Sequence, residues 1–285
     1  MTTNPEVTQP PRIDPRALVS PEAVLSAGVE IGPFAIVEAG VVIGARTRIW
    51  AHAYICSGTT LGADNVVHIG AVVGHEPQDR SYAGAPTRLE IGDRNVIREG
   101  CQIHRGTAPG TATVIGNDCY LMSNAHVGHN CRIADGVVMA NAAVLGGHVS
   151  VGERAFLSAN VMVHQHTRVG RLSMLQGGTA VSQDVPPFCT TRLGTNALGG
   201  VNVVGLRRAG FDRAQVAAIR RAYRTLFSTR PNLRLARARL LESEGELGGP
   251  TAEVREMLDF IAAAKHGVCA VRDGRAGTPD AADAD

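Results

Sequence analysis

The chain contains one lysine, Lys265, among its 28 basic residues. An anionic partner must therefore be held by arginine, histidine or backbone N–H groups. Aromatic residues are only 4% of the chain, so a core has to be built from Val, Ile, Leu and Ala. Net charge is +2, too small to predict binding to nucleic acid or to a membrane surface. No stretch approaches the ~18 consecutive apolar residues of a spanning helix, so stable membrane insertion is not expected. Met1–Pro11 is polar and Pro-rich and lacks the basic start and apolar run of an export signal. A cytoplasmic location with reduced cysteines is expected. None of the six cysteines shows CxxC or metal-ligand spacing.

What is abundant is a beat of six. Every sixth residue from Ile13 to Val181 gives 29 positions, of which 26 are aliphatic; the exceptions are Asp79, Ala85 and Pro109. Chance would supply such residues at roughly a third of positions. A period of six fits neither an α-helix nor simple strand alternation. It fits short strands joined by tight bends, each with one inward aliphatic, stacked as a parallel β-helix. Two residues before the aliphatic the side chain is usually small, as at Ala53, Ala71, Ala125 and Ala143. Cys101, Cys119 and Cys131 take the same corner position and read as small buried hydrophobes. Glycine often follows the aliphatic, where the chain is expected to turn.

Residues 1–11 read as an N-terminal extension and 12–190 as the β-helix. Polar and Pro-rich interruptions predict a loop thrown out over 74–90 and a shorter one over 105–113. A crossover is expected over 191–211 and a helical domain over 212–265. There, Asp212 with Gln215 resembles a capping box, ahead of an apolar stripe of Val216, Ile219, Tyr223 and Leu226. Further helices are expected after Pro231 and from Thr251. The end, 266–285, acidic and Ala/Gly-rich from Arg272, is expected to be disordered.

Three six-residue units per coil make eighteen residues, so spatial neighbours follow from numbering. His129, Gly147 and Gln165 form one column, and Asn130, His148 and His166 the next. His126, His129, His148, His164 and Gln165 are therefore expected to cluster on one edge, none at an inward position. A neutral imidazole can take a proton from an attacking hydroxyl or amine, and backbone N–H groups beside glycines can hold an oxyanion. Solvated surface histidines remain the plain alternative.

The run from Leu121 to Cys131, LMSNAHVGHNC, resembles the active-site segment of the UDP-N-acetylglucosamine O-acyltransferases of lipid A biosynthesis. So do Tyr82–Thr87, Ile91–Asn95, Ile103–Thr107, Gly147–Ser150, Gln183–Pro187 and Gly200–Asn202, and the similarity runs through roughly residues 12–265. The resemblance implies a left-handed parallel β-helix followed by a small helical domain. It implies a homotrimer with sites between subunits, loop residues serving the adjacent subunit. It also implies transfer of a hydroxyacyl group from acyl carrier protein to a UDP-amino sugar, without cofactor or metal. By position, His129 would be the general base and Gly147 the oxyanion donor. Gln78, Asp79, His126, His148, Gln165, Asn202 and Arg208 would bind the sugar nucleotide, and Gly177 would line the acyl-chain pocket. Asn130, Ser81, Val204, Thr195 and Ala209 depart from the pattern, replacing Asp, Lys, Glu, His and Arg. These changes leave open a 3-amino sugar or another nucleotide as acceptor. Arg220, Arg221, Arg224, Arg230, Arg234, Arg237 and Arg239 offer a docking surface for the acidic carrier protein, or a solvated face. Competing readings are an acetyl-CoA-dependent sugar N-acetyltransferase, a zinc enzyme of the γ-carbonic-anhydrase kind, which needs three converging imidazoles, and a non-catalytic scaffold.

Overall fold

A computed structural model describes residues 9–227, 233–242 and 251–271. Strands of mostly two residues, from Arg12–Ile13 to Ala180–Val181, stack as three parallel sheets. Among the described residues these have eleven, nine and eight strands, the eleven including two beyond Val181; up to Val181 each strand pairs with the one three places on. Register repeats every eighteen residues, as in Ile13↔Ile31 and Leu145↔Val163. One residue of each pair points inward; Ile43, Ile55, Leu61, Val127 and Leu145 are fully or almost fully buried. Each such side chain contributes about 1.5–3 kcal/mol, so the column of aliphatics is the core. The corner residues Ala71, Ala125, Cys101 and Cys131 are also buried. All six cysteines are unbridged, and burial raises the Cys56, Cys101 and Cys131 thiols to about 12.

The glycines after the inward aliphatic serve a purpose other than the one expected. Gly152 does not sit in the left-handed region; a Cβ there would come within 2.5 Å of the Arg171 nitrogen in the next coil. Close approach of successive backbones selects glycine at this point. The positive φ falls two residues later and is carried mostly by other residues, including Asn130 at 59° and His148 at 59°.

Both excursions are shorter than the composition suggests. Val72–His75 and Arg88–Ile91 are strands, so the first loop spans 76–87. Gln102–His104 and Ala112–Ile115 limit the second to 105–111. Leu89, fully buried, explains why the chain rejoins the sheet so early. Val67 pairs with Ile97 and Ile97 with Leu121, so the two coils are thirty and twenty-four residues long. Both excess lengths are whole multiples of six. The three non-aliphatic positions of the repeat all lie inside these loops.

Beyond Val181 the chain closes the coil. Cys189–Thr191 joins the eleven-stranded sheet and pairs antiparallel with Leu198–Val201. The segment 191–211 is thus more than a crossover: it holds a strand and a short helix, α1 (Val203–Arg208), capped by Asn202. Helix α2 (Arg213–Phe227) follows. The Gln215 amide N–H donates to the Asp212 carboxylate at 2.8 Å, and the Asp212 N–H donates to the Gln215 side-chain oxygen at 2.9 Å. Val216, Ile219 and Leu226 are buried. Helices α3 (Leu233–Glu242) and α4 (Ala252–Ala262) complete the described part. The expected disordered tail starts too early at 266. Val268 and Cys269 are buried, and the Cys269 N–H donates to the Asp184 carbonyl at 2.8 Å. Asp184, itself buried, also takes two bonds from Arg168, at 2.8 and 2.7 Å. Residues 272–285 lie outside the described residues.

Candidate active site

His129 leaves the nine-stranded sheet just after His126–Val127, at the edge where the chain turns into the eight-stranded sheet. The His148 N–H donates to the His129 carbonyl at 2.9 Å, and the His166 N–H to the Gly147 carbonyl at 3.0 Å. His129, Gly147 and Gln165 therefore do form one column. The imidazole of His129 lies directly against Gly147: a Cβ on that glycine would overlap the ring. The Gly147 N–H donates to no acceptor among the described residues. A proton acceptor and a free amide thus share one groove.

Asn130 sets the proton of the base. Its Oδ1 accepts from the Thr107 N–H at 3.1 Å and the Thr107 hydroxyl at 2.9 Å. A backbone amide can only donate, which identifies that atom as oxygen. The same oxygen lies 3.0 Å from His129 Nδ1, so Nδ1 carries the hydrogen and donates. Nε2 is left with its lone pair. Asparagine in place of aspartate can orient the ring this way but adds no charge.

Asp79 lies across the groove, its carboxylate 4.0 Å from His129 Nε2, beyond direct hydrogen bonding. The Ser81 N–H and hydroxyl, at 2.9 and 2.8 Å, hold that carboxyl below its ordinary range. Within this chain the loop folds back toward its own His129. Arg105 keeps it there, donating to the Tyr82 hydroxyl at 3.1 Å and the Gly74 carbonyl at 3.3 Å. Gln78 is exposed on the same loop.

The remaining residues divide among other places. His148 meets His129 edge-on, with ring centroids 5.2 Å apart, and stacks on His166 at 4.7 Å. Burial, then the neighbouring imidazoles, lowers its pKa. Gln165 and His164 are exposed one coil further on. His126 is not on that edge. It projects from the face of the nine-stranded sheet, next to Gln102 and Val144, and its ring centroid is 5.1 Å from that of His104. Burial lowers the pKa of both rings. Neither ring nitrogen of His126 has a partner, and neither does His104 Nε2; His104 Nδ1 donates to the Glu76 carbonyl at 2.6 Å. Sequence reasoning gave His104 no role; its only signal was membership of the segment 103–107.

Asn202 and Arg208 line a separate cavity of about 660 Å³ at the edge between the eight- and eleven-stranded sheets. The Asn202 amide is engaged in structure: Nδ2 donates to the Leu172 carbonyl at 2.9 Å, and Oδ1 accepts from the Gly205 N–H at 3.0 Å. Gly177 lies at the third edge, after Met174–Leu175. Its φ is not in the left-handed region, and an added Cβ would meet only the Ala159 carbonyl, at 3.3 Å, and the Ser158 hydroxyl, at 3.9 Å. One chain therefore places its candidate residues on three different edges of the prism. On the helical domain, Arg221, Arg224 and Arg239 are exposed, and Arg220 and Arg237 are partly so. Arg230 and the side chain of Arg234 lie outside the described residues. Among the described residues no three His, Cys, Asp or Glu side chains converge as metal ligands, and no helix is long and apolar enough to cross a membrane.

A solenoid of six-residue turns, with an imidazole set against a glycine amide on its edge, defines the class of hexapeptide-repeat acyltransferases. The bacterial transferase hexapeptide family matches residues 22–57 and 112–147. The second domain of UDP N-acetylglucosamine O-acyltransferase matches residues 184–269. The acyl-[acyl-carrier-protein]–UDP-N-acetylglucosamine O-acyltransferase of Janthinobacterium sp. (strain Marseille) is 40% identical over 259 residues, covering 90% of this chain and 98% of that protein. Its counterpart from Stenotrophomonas maltophilia (strain K279a) is 41% identical over 255 residues, covering 88% and 95%. The solved structure of LpxA, a UDP-N-acetylglucosamine acyltransferase from Bacteroides fragilis, gives a TM-score of 0.85 at 37% identity, over 90% of this chain and 98% of that one. The chain belongs to the acyl-[acyl-carrier-protein]–UDP-N-acetylglucosamine O-acyltransferase family. Its fold is the left-handed parallel β-helix with a small C-terminal helical part, and it is an acyltransferase.

Proposed function

We propose that this chain transfers a 3-hydroxyacyl group from acyl carrier protein to the 3-position of UDP-N-acetylglucosamine, the first step of lipid A biosynthesis. His129 Nε2 removes the proton of the sugar 3-hydroxyl as its oxygen attacks the thioester carbonyl. The Gly147 N–H takes the developing oxyanion. Collapse of the tetrahedral intermediate expels the carrier's thiolate, which takes the proton from His129. Ionised Asp79 faces Nε2 and favours the imidazolium in between. The observation that carries this reading is the contact between the His129 ring and Gly147, one coil apart.

Separation of the candidate residues onto three edges supports a homotrimer whose sites form where neighbouring chains meet. The outward face of the nine-stranded sheet includes Leu18, Ile36, Val72, Val144 and Met162, an apolar surface suited to such packing. The arginines of α2 and α3 suit an acidic carrier protein.

The test is product analysis with UDP-N-acetylglucosamine and its 3-amino analogue, each offered a panel of acyl carrier protein thioesters and acetyl-CoA. Ester formed from a hydroxyacyl thioester is expected, and His129→Ala should cut kcat by at least about 10². Turnover only with the amino sugar would move the acceptor to nitrogen. Turnover only with acetyl-CoA would end the reading.

A further inference from the structure

One edge of the prism carries a ladder of charges. Arg46, Asp64, Arg94, Asp118, Gly136 and Arg154 occupy the same corner in successive coils. Each takes a positive φ between 55° and 67°, and backbone bonds such as Asp64 N–H to Ala45 carbonyl and Arg154 N–H to Asp135 carbonyl stack them in order. The lower rungs are neutralised in pairs. Arg46 grips both oxygens of Asp64 at 2.7 and 2.6 Å, and Arg94 grips both of Asp118 at 2.8 Å. These bidentate pairs are the strong form of the arginine–carboxylate bond.

The alternation stops after Asp118: Gly136 comes next, with Arg154 lying over it. Each lower arginine pairs with the acid one coil above, whereas the coil above Arg154 supplies Leu172. Arg154 has no hydrogen-bonded or ion-paired carboxylate among the described residues. It lines the cavity that also contains Asn202, Arg207, Arg208 and Arg220. Among the described residues no Asp or Glu lines that cavity. Four guanidinium groups around one hollow, without a compensating acid, repel one another until an anion enters. Arginine's planar fork suits phosphate oxygens.

We propose that Arg154 is a phosphate ligand of this cavity, left without a carboxylate by Leu172 in the coil above and the uncharged Gly136 below. The inference rests on the reading that a substrate of this enzyme brings phosphate to the cavity. Two sources share the chemistry: the diphosphate of the sugar nucleotide and the phosphodiester of the carrier's prosthetic arm.

The test uses the full chain and measures UDP and pyrophosphate binding by calorimetry, with KM for acyl carrier protein thioester in parallel. Arg154→Ala is expected to weaken UDP about tenfold, with Arg154→Lys losing less. Gly136→Asp should reproduce the loss by pairing Arg154, because aspartate already takes this backbone conformation at Asp64 and Asp118. Gly136→Asn, of the same shape without charge, should lose less than Gly136→Asp. Weaker UDP binding assigns the diphosphate; unchanged UDP with a raised KM for the carrier assigns the phosphodiester. If Arg154→Ala moves neither, or if Gly136→Asp and Gly136→Asn behave alike, the proposal falls. If UDP binding weakens as expected while no UDP-sugar is acylated, the phosphate ligand stands and the proposed reaction does not.

Discussion

Gly147→Ala is the sharpest perturbation of the groove. Gly147 has no positive φ, so alanine introduces no backbone strain there. It introduces one methyl group, whose carbon would sit 2.5 Å from His129 Cε1 and 3.1 Å from Cδ2. Carbon atoms rest at about 3.5–4.0 Å, so the ring must retreat by roughly 1 Å. A displacement of ~1 Å at a reacting group costs on the order of 10² in rate, or about 2.7 kcal/mol of transition-state stabilisation. The amide N–H itself is retained, so the loss reports position of the base. The expected result is a kcat about 10²-fold lower, with KM for the sugar nucleotide changed by less than about threefold. Steady-state kinetics with both substrates varied supplies the measurement, and a thermal unfolding scan checks that the fold persists. A folded Gly147→Ala enzyme with wild-type kcat would show that the ring does not work from its position against this glycine.

Further expectations follow from the same geometry. Asn130→Ala removes the acceptor that orients His129 Nδ1 and should lower kcat by about tenfold. Asn130→Asp keeps that bond and adds charge, so the acidic limb of the pH–kcat/KM profile should move to higher pH; identical profiles for the two variants would refute the tautomer argument. Gly177→Met should shift selectivity toward shorter acyl chains in a thioester panel, because the backbone there accepts a side chain and open space would be filled. His104 and His126 are held below the ordinary imidazole range by burial. The unfolded chain therefore binds protons first as pH falls. Stability from these groups is complete above about pH 6.5 and is lost as pH drops from there toward their folded values. Urea unfolding as a function of pH should show this slope, and His126→Leu should flatten it.

The six-residue beat made most of the architecture legible, because each inward aliphatic is a local statement about the coil. Simple addition of eighteen brought His129 under Gly147, as the backbone bonds place them. That arithmetic could not locate His126, which shares a segment with His129 yet projects from a flat face beside His104. It also could not see that the loop carrying Asp79 folds onto its own chain. Arg105, reaching across 31 residues to Gly74, decides that, and such a side-chain tie leaves no periodic trace. Glycine after the aliphatic was readable as a turn, but the cause was misassigned: backbone proximity to the next coil, visible only in three dimensions, selects it. The short helix α1 and the returning strand Leu198–Val201 fall where the beat has stopped and too few residues remain to set a new period. The role of Asn130 became readable only with Thr107, which identifies its oxygen.

The two excursions lengthen their coils by whole hexads, and this has a consequence for how such a chain can change. A detour of twelve or six residues returns the thread to the sheet with the same residue facing the axis, so every later turn is spared. A detour of four would rotate each subsequent side chain out of place, and the penalty would grow with every turn downstream. New surface features can therefore be acquired on this scaffold cheaply only in units of its own stitch.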